Sequence, residues 1–182
     1  KLSIELDAYS HGLSKAIKDV EASSYDDGWG HSVVANSHGV LVSNSSTSSS
    51  CSTEMVFGDG KDAVSSNGFS YARGFTGIDF KEAADMALRD GLPMIGASQP
   101  ISSRLPVIFD PKVTAQFLAI ISSMLSGTAV AKGRALLGDR LGDKIANSNL
   151  TLIDDPINKL SFNASTYDGE GMPLRKNIFI EN

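Results

Sequence analysis

HSVVANSHGVLVSNSSTSSSCSTEMVFGDG, residues 31–60, gives the clearest indication of how this chain folds. Short β-prone runs such as Leu41-Val42 and Met55-Val56 alternate with turn-forming Asn-Ser and His-Gly pairs, and Gly-Asp-Gly closes the stretch. The serine-rich middle could be a low-complexity linker, but small hydroxyl side chains between two apolar runs also suit an exposed strand face. Together with NGFSYARGF, residues 67–75, the pattern predicts an antiparallel β-meander.

Helical patterns flank this meander. Residues 5–22 place apolar side chains near helical spacing and charged ones away from them, which predicts one amphipathic helix. Its apolar positions are Leu6, Leu13, Ala16, Ile17 and Val20. A second helix is predicted over residues 80–91, with Asp79 as N-cap and Gly91 at its end. Its apolar face comprises Phe80, Ala83, Ala84, Ala87 and Leu88.

The second half of the chain contains an uncharged helical segment. LPVIFDP, residues 105–111, reads as a buried strand, and Asp110 before Pro111 is a helix start signal. The run Val113–Ala131 that follows has no charged side chain, although 20% of the chain is charged. A membrane span is disfavoured because polar residues dilute the run and no basic flank or aromatic belt marks its ends. We therefore expect a buried helix in a soluble domain.

These patterns predict an α+β fold: an antiparallel β-meander with flanking helices, followed by the truncated start of a β-rich C-terminal domain that contains a buried helix. We place a central domain at residues 1–103 and the second domain at residues 104–182. The chain does not begin with Met, and it ends within a predicted strand. We therefore expect both ends to be truncated.

Composition disfavours several classes of function. The formal net charge of -5 provides no positive field for a nucleic-acid backbone. The single cysteine, Cys51, allows no internal disulfide and suits a reducing compartment, so a cytoplasmic location is expected. The three histidines, His11, His31 and His38, lack the spacing of a zinc site, and the acidic pairs resemble solvated turns. No metal and no cofactor are predicted.

Four segments together resemble the TldD/PmbA family, once called modulators of DNA gyrase and now regarded as a protease system. They are VEASSYDD with VVANSHGVLVS, LPVIFDPKVTAQFL, SGTAVAKGRALLGDRLGDKIANSNLTLIDDP and YDGEGMPLRKNIFIEN. Within them, the turn at Asn36–Gly39, the block LPVIFDP and the Asp-Gly-Glu-Gly-x-Pro block at Asp168–Pro173 are the most specific pieces. The resemblance covers most of the chain.

The chain resembles the PmbA or TldE type of subunit within that family. The catalytic type carries His-Glu-x-x-x-His on the corresponding helix, and a match through Lys132-Gly133 places these three positions on Leu118, Ala119 and Ser123. Leucine cannot bind zinc and alanine cannot act as a general base, so the resemblance implies no catalytic residue and no metal at this place. An apolar replacement of the ligands also explains the uncharged helix.

The resemblance also implies partners. Members of the family resemble a two-subunit chamber that holds an unfolded peptide for degradation or maturation. By this resemblance, the chain would pair with a zinc-bearing TldD-type paralogue or form a homodimer. Addition of the peptide to a sheet edge would bind varied sequences, and our candidate edge is Ser43–Ser52. The peptide-binding candidates are Ser43, Asn44, Ser45, Ser46, Ser48 and Ser50. The plain alternative is a solvated hairpin.

Two other functions stay open at this point. The chain could be a peptidase that acts through another nucleophile, such as Cys51 or a serine. It could also be a binding module that modulates DNA gyrase, as the older family name implies.

Overall fold

The structure, a computed structural model, describes residues 1–159 and 161–181. Its helices and strands are α1 (Leu2–Gly12), β1 (Ile17–Ala35), β2 (Leu41–Phe57), β3 (Val64–Ala72), α2 (Phe80–Gly91), α3 (Pro111–Met124), α4 (Gly127–Ala131), β4 (Leu152–Asp154) and β5 (Asn177–Ile180). Short 3-10 helices occur at Gly60–Asp62, Phe75–Gly77 and Leu92–Met94. The chain divides into a first unit, Lys1–Pro100 with Pro156–Leu174, and a second unit, Ile101–Asp155 with Arg175–Asn182. A domain boundary after residue 103 stays a prediction.

The centre of the first unit is an antiparallel sheet in the order β1-β2-β3. The serine-rich stretch lies inside β2, so it forms a strand, and the predicted meander and α+β fold are confirmed. At the β1–β2 turn, Asn36 Oδ1 accepts hydrogen bonds from the backbone N–H groups of His38 and Val40 at 3.0 and 3.2 Å. Gly39 has a φ of 89°, which suits a residue without a side chain. This turn fixes the register of the two long strands.

The core lies on one face of β2 and is covered by α1 and α2. From Ser49 to Phe57 every second residue is buried, as expected for a strand that packs one face only. The fully buried apolar side chains are Leu6, Cys51, Met55, Phe57, Ala83, Ala84 and Ala87. The buried Thr53 hydroxyl lies 3.3 Å from both Ser10 Oγ and Ser23 Oγ, so its polar group has partners.

Helix α2 is confirmed at the predicted residues. The Asp79 side chain accepts hydrogen bonds from the backbone N–H groups of Lys81 and Glu82, each at 3.0 Å. Two N–H groups at the start of the helix are thereby satisfied. The small alanines on the buried face let α2 approach closely to the sheet, directly over Gly68 of β3.

The predicted helix over residues 5–22 is wrong in its second part. Helix α1 ends at Gly12, and Ile17 and Val20 belong to β1. Irregularities in the β1–β2 register lie between Ile17 and Asp19 and again between Val20 and Ala22. Because a bulge adds one residue to a strand, two core-facing residues can be three apart, which imitates helical spacing.

The second unit differs from the expectation in two respects. Residues 105–110 form no strand, and Ile108 is 98% exposed. Helix α3 forms as predicted, with Asp110 Oδ1 accepting from Lys112 N–H at 2.8 Å, but none of its residues is buried, so the prediction of a buried helix is wrong. In the described part of this unit the only sheet pairs β4 with β5, and strands of three and four residues are too small to cover a helix. Among the described residues, no helix has the length and apolarity needed to cross a bilayer.

Candidate functional site

The outer half of the β1–β2 hairpin has an unpaired edge. Strand β3 ends at Ala72, opposite Ser49, whereas β2 begins at Leu41. In the described part of the chain, residues 41–48 therefore pair with β1 on one side and with no strand on the other. We call this side of Leu41–Ser48, which has no partner strand in the described residues, the β2 edge. Thr47 Oγ1 donates a hydrogen bond to the Arg73 carbonyl. No Asp, Glu, Lys or Arg occurs between Gly28 and Thr53, so the edge lacks the charges that commonly prevent strand pairing.

Five of the six peptide-binding candidates lie on the β2 edge, and their role stays a prediction. They are Ser43, Asn44, Ser45, Ser46 and Ser48. The edge assignment is wrong at Ser50, because this residue pairs with Asp26 on one side and with Tyr71 on the other. Its backbone groups already have neighbours within the sheet, so a peptide strand cannot add there.

A cavity of about 230 Å³ adjoins the β2 edge. It is lined by Ser32, Val34, Val42, Ser43, Asn44, Ser165, Tyr167, Asp168 and Gly169. Val42, Ser43 and Asn44 of β2 all line the cavity. Because neighbouring side chains on a strand point to opposite faces, three consecutive residues can line one cavity only if it also borders the edge of the strand. From β1 only Ser32 and Val34 contribute, and these two share a face. The cavity therefore lies on one face of the hairpin and reaches around the β2 side of it, not the β1 side.

The outer wall of the cavity comes from a distant part of the sequence. Asp168 Oδ1 accepts hydrogen bonds from the backbone N–H groups of Glu170 and Met172, at 2.9 and 2.8 Å, which closes a tight turn. Gly171 in this turn has a φ of 85°, and a Cβ there would lie 2.7 Å from Val40 Cγ1. The turn thus packs against the β1–β2 hairpin.

An arginine holds the preceding part of this wall. The Arg73 guanidinium, just after β3, donates from Nε to the Ser161 carbonyl at 3.0 Å and from Nη2 to the Ala164 carbonyl at 2.7 Å. In the sequence, Asn36–Gly39 and Asp168–Pro173 are two separate motifs. Local periodicity does not indicate that Gly171 of the second motif lies against Val40, the residue after the first, because this contact joins residues far apart in sequence.

The opposite face of the hairpin exposes an aromatic pair. Trp29 is 72% exposed and stacks on the His31 ring, with ring centroids 6.3 Å apart and an interplanar angle of 12°. His31 Nδ1 lies 2.8 Å from Ser45 Oγ. Trp29 therefore does not contribute to the core.

The three positions matched to the zinc motif offer no set of zinc ligands. Leu118 has no donor atom, Ala119 has none, and Ser123 Oγ donates to the Ile120 carbonyl at 2.7 Å. Among the described residues, no group of three or more His, Cys, Asp and Glu side chains is arranged to hold a metal ion. Zinc is normally bound by Cys, His or carboxylate groups, so these residues do not fit the ion that the family implies.

A larger cavity of about 810 Å³ lies within the second unit. Its lining includes Met124, Leu137 and Phe179, and it contains none of the predicted site residues. The charged residues Arg140, Asp143, Lys144 and Glu181 also line it, and Arg140 Nε pairs with Asp143 Oδ2 at 2.7 Å.

Cys51 is a poor candidate for a nucleophile. It is 1% exposed on the core face of β2, and burial raises the pKa of its thiol above the ordinary value. A raised pKa lowers the fraction of thiolate, which is the reactive form.

We therefore expect the native Cys51 thiol to react with a thiol reagent on the order of 100-fold or more slowly than the same thiol in denaturant. The rate of Ellman's reagent at slightly alkaline pH measures this. The matched control is Ser45→Cys, whose new thiol on an exposed position of β2 should react rapidly in the folded protein. Fast reaction of Cys51 in the native chain would contradict its burial.

Two sequence profiles of one known protein family match this chain. The sequence profile described as the PmbA/TldA metallopeptidase central domain matches residues 1–92, and the one described as the PmbA/TldA metallopeptidase C-terminal domain matches residues 102–182. Together the two profiles account for nearly the whole chain.

Individual relatives show the same similarity. A metalloprotease of Methanothermobacter thermautotrophicus is 27% identical over 87% of this chain and 36% of its own length. Metalloprotease PmbA of Escherichia coli O157:H7 is 25% identical over 92% of this chain and 38% of its own. The chain therefore spans well under half the length of these relatives.

Solved structures share the fold. A candidate modulator of DNA gyrase from Bacteroides thetaiotaomicron superposes with a TM-score of 0.87 at 26% identity, over 98% of this chain and 42% of that one. TldE of Thermococcus kodakarensis gives a TM-score of 0.75 at 23% identity, over 98% and 40% of the two chains. The two matching profiles confirm the resemblance seen in the motifs, and the chain belongs to the TldD/PmbA family of metallopeptidases.

Proposed function

We propose that this chain is part of a non-catalytic subunit of a TldD/PmbA-type peptidase system in the cytoplasm. In this proposal it pairs with a zinc-bearing TldD-type paralogue, or with a second copy, and binds an extended, unfolded peptide that the system degrades or matures. The observation that carries the proposal is the uncharged β2 edge, whose backbone has no partner strand in the described part of the chain. The Escherichia coli relative is named PmbA, the type of subunit that this chain resembles.

The non-catalytic part of the proposal is supported by the chemistry of helix α3. Metal-assisted hydrolysis needs a bound ion and a group that takes a proton from water. Leu118, Ala119 and Ser123 supply neither the ligand set nor a general base. The alternative of a cysteine peptidase is disfavoured by the burial of Cys51.

The peptide-binding part is supported by the chemistry of a sheet edge. A strand that adds to an edge is held by main-chain hydrogen bonds, which are the same for every peptide sequence. Small side chains such as those of Ser43, Ser45 and Ser46 let another strand approach without steric conflict. The edge therefore suits a subunit that admits varied unfolded peptides.

A strand-addition mode predicts how backbone methylation of the peptide acts. Alternate N–H groups of an added strand face the sheet, so N-methylation of one alternate set should weaken binding by about tenfold or more, while methylation of the other set should leave it nearly unchanged. Fluorescence anisotropy of a labelled eight-residue peptide measures both affinities. Equal binding of the two methylated peptides, or absence of binding by the parent, would contradict the proposal.

A spin label determines which edge is used. A nitroxide on Ser45→Cys should broaden the resonances of an isotope-labelled peptide, because the label would stand beside the bound strand. The matched control is Ser65→Cys on the exposed outer strand β3, which should leave them sharp. Buried Cys51 makes both labels selective. In the same preparation, elemental analysis should find far less than one zinc per chain, and one tightly held zinc per chain would defeat the non-catalytic assignment.

A further inference from the structure

We propose that the cavity beside the β2 edge selects a peptide with a cationic side chain, lysine or arginine, at the point where it passes Ser43 and Asn44. This inference rests on the proposed binding of peptide at the β2 edge. It adds a preference for one class of side chain to a mode of binding that is otherwise independent of sequence.

The position of the cavity places a peptide side chain at its mouth. Val42, Ser43 and Asn44 all line it, so it begins at the strand edge to which a peptide would add. Every second side chain of an added strand points to the hairpin face that carries Ser32 and Val34. One such side chain would therefore point toward the wall formed by Tyr167 and Asp168.

The size of the cavity favours a single side chain as its occupant. Small-molecule and cofactor pockets usually enclose about 300–1,000 Å³. The cavity of about 230 Å³ is smaller than this range. A flexible, unbranched side chain that extends from a bound strand suits such a space.

The residues that line the cavity favour a positively charged side chain. Among the described residues that line the cavity, Asp168 is the only acidic one and none is basic, and the other polar residues are Ser32, Ser43, Asn44, Ser165 and Tyr167. In the described part of the chain no lysine or arginine forms an ion pair with Asp168. The backbone N–H groups of its turn occupy Oδ1, which leaves Oδ2 for a ligand. Hydroxyl and amide oxygens can accept further N–H groups of an ammonium or guanidinium.

The test compares peptides that differ at one central residue. We expect a lysine or arginine peptide to bind about two- to fivefold more tightly than its glutamine counterpart, because exposed ion pairs are weak, and a glutamate peptide to bind less tightly than either. The preference should shrink as salt concentration rises. Fluorescence anisotropy in low and high salt gives all of these affinities.

The variant Asp168→Asn removes the charge but keeps an oxygen that can accept the two hydrogen bonds of the turn. It should abolish the preference for lysine over glutamine. The matched control is Asp62→Asn, an exposed carboxylate of the same unit that does not line the cavity, and the preference should survive it.

The outcomes separate the two proposals. If the lysine and glutamine peptides bind equally well to the unsubstituted chain, or if the preference persists in Asp168→Asn, the cationic selection is wrong while strand addition stands. If no peptide binds, both are wrong. Should Asp168→Asn fail to fold, the lysine–glutamine comparison and its salt dependence on the unsubstituted chain still decide the matter.

Discussion

Replacement of Gly68 by alanine is expected to lower the free energy of unfolding by about 3 kcal/mol or more. Gly68 is a buried residue of β3, directly beneath α2. A Cβ at this position would lie 1.8 Å from the Ala83 carbonyl oxygen and 2.8 Å from the Ala87 nitrogen. Both are backbone atoms of a helix, so no side-chain rotation relieves the overlap. The whole helix would have to move away from the sheet and lose its close packing.

Urea unfolding followed by circular dichroism measures this loss. The matched control is Gly74→Ala, because Gly74 also lies in the first unit, has an extended backbone with a φ of -161°, and has open space where its Cβ would be. Its effect should stay within about 0.5 kcal/mol. Similar unfolding midpoints for the two variants would show that α2 does not approach β3 as closely as the structure has it.

The contact between Phe57 and Gly91 is expected to give the second large effect. Phe57 is completely buried at the end of β2, and its replacement by alanine should cost about 3–5 kcal/mol through lost burial and the cavity left behind. A Cβ on Gly91, the last residue of α2, would lie 2.2 Å from Phe57 Cε2. Gly91→Ala alone should therefore cost about 1–3 kcal/mol because it overpacks the same place.

The double variant is expected to be less destabilised than the sum of the two single variants by about 1 kcal/mol or more. Removal of the phenyl ring vacates the space that the new methyl group needs, so the second change no longer meets an obstacle. Equilibrium unfolding of all four proteins measures the coupling. Gly12→Ala has open space around its Cβ, and its effect should add simply to that of Phe57→Ala. Strict additivity for Gly91 as well would contradict the contact.

The β-meander and α2 were predictable because their signals are local. Asn36 to Gly39 supply the turn chemistry, and Asp79 with Gly91 mark the two ends of a helix with an alanine face. The predicted N-terminal helix extends too far because irregularities in β1 let Ile17 and Val20, three residues apart in sequence, both pack against the core. The spacing of apolar residues alone does not distinguish such a strand from a helix.

The candidate site was predictable only in part. Small polar residues around Ser45 indicated an exposed strand, but where the edge begins depends on where β3 stops, and the pairing of Ser50 with Tyr71 could not be inferred from β2 itself. In the sequence, Asp168 belongs to a motif whose spatial neighbours local patterns do not indicate. Its place on the cavity that Asn44 also lines follows from a turn that packs on the hairpin from a remote part of the chain.

Residue order alone establishes the uncharged stretch from Gly28 to Thr53, the helix starts at Asp79 and Asp110, and the lack of zinc-binding side chains at Leu118, Ala119 and Ser123. These properties depend on residue type and on neighbours within a few positions, where backbone geometry and side-chain chemistry act directly. Three-dimensional packing determines which stretch of β2 remains a free edge, that Cys51 is buried, and that Asp168 borders the cavity. Each of these depends on contacts between residues distant in sequence. Such contacts form, and stabilise the structure, only when the chain has folded.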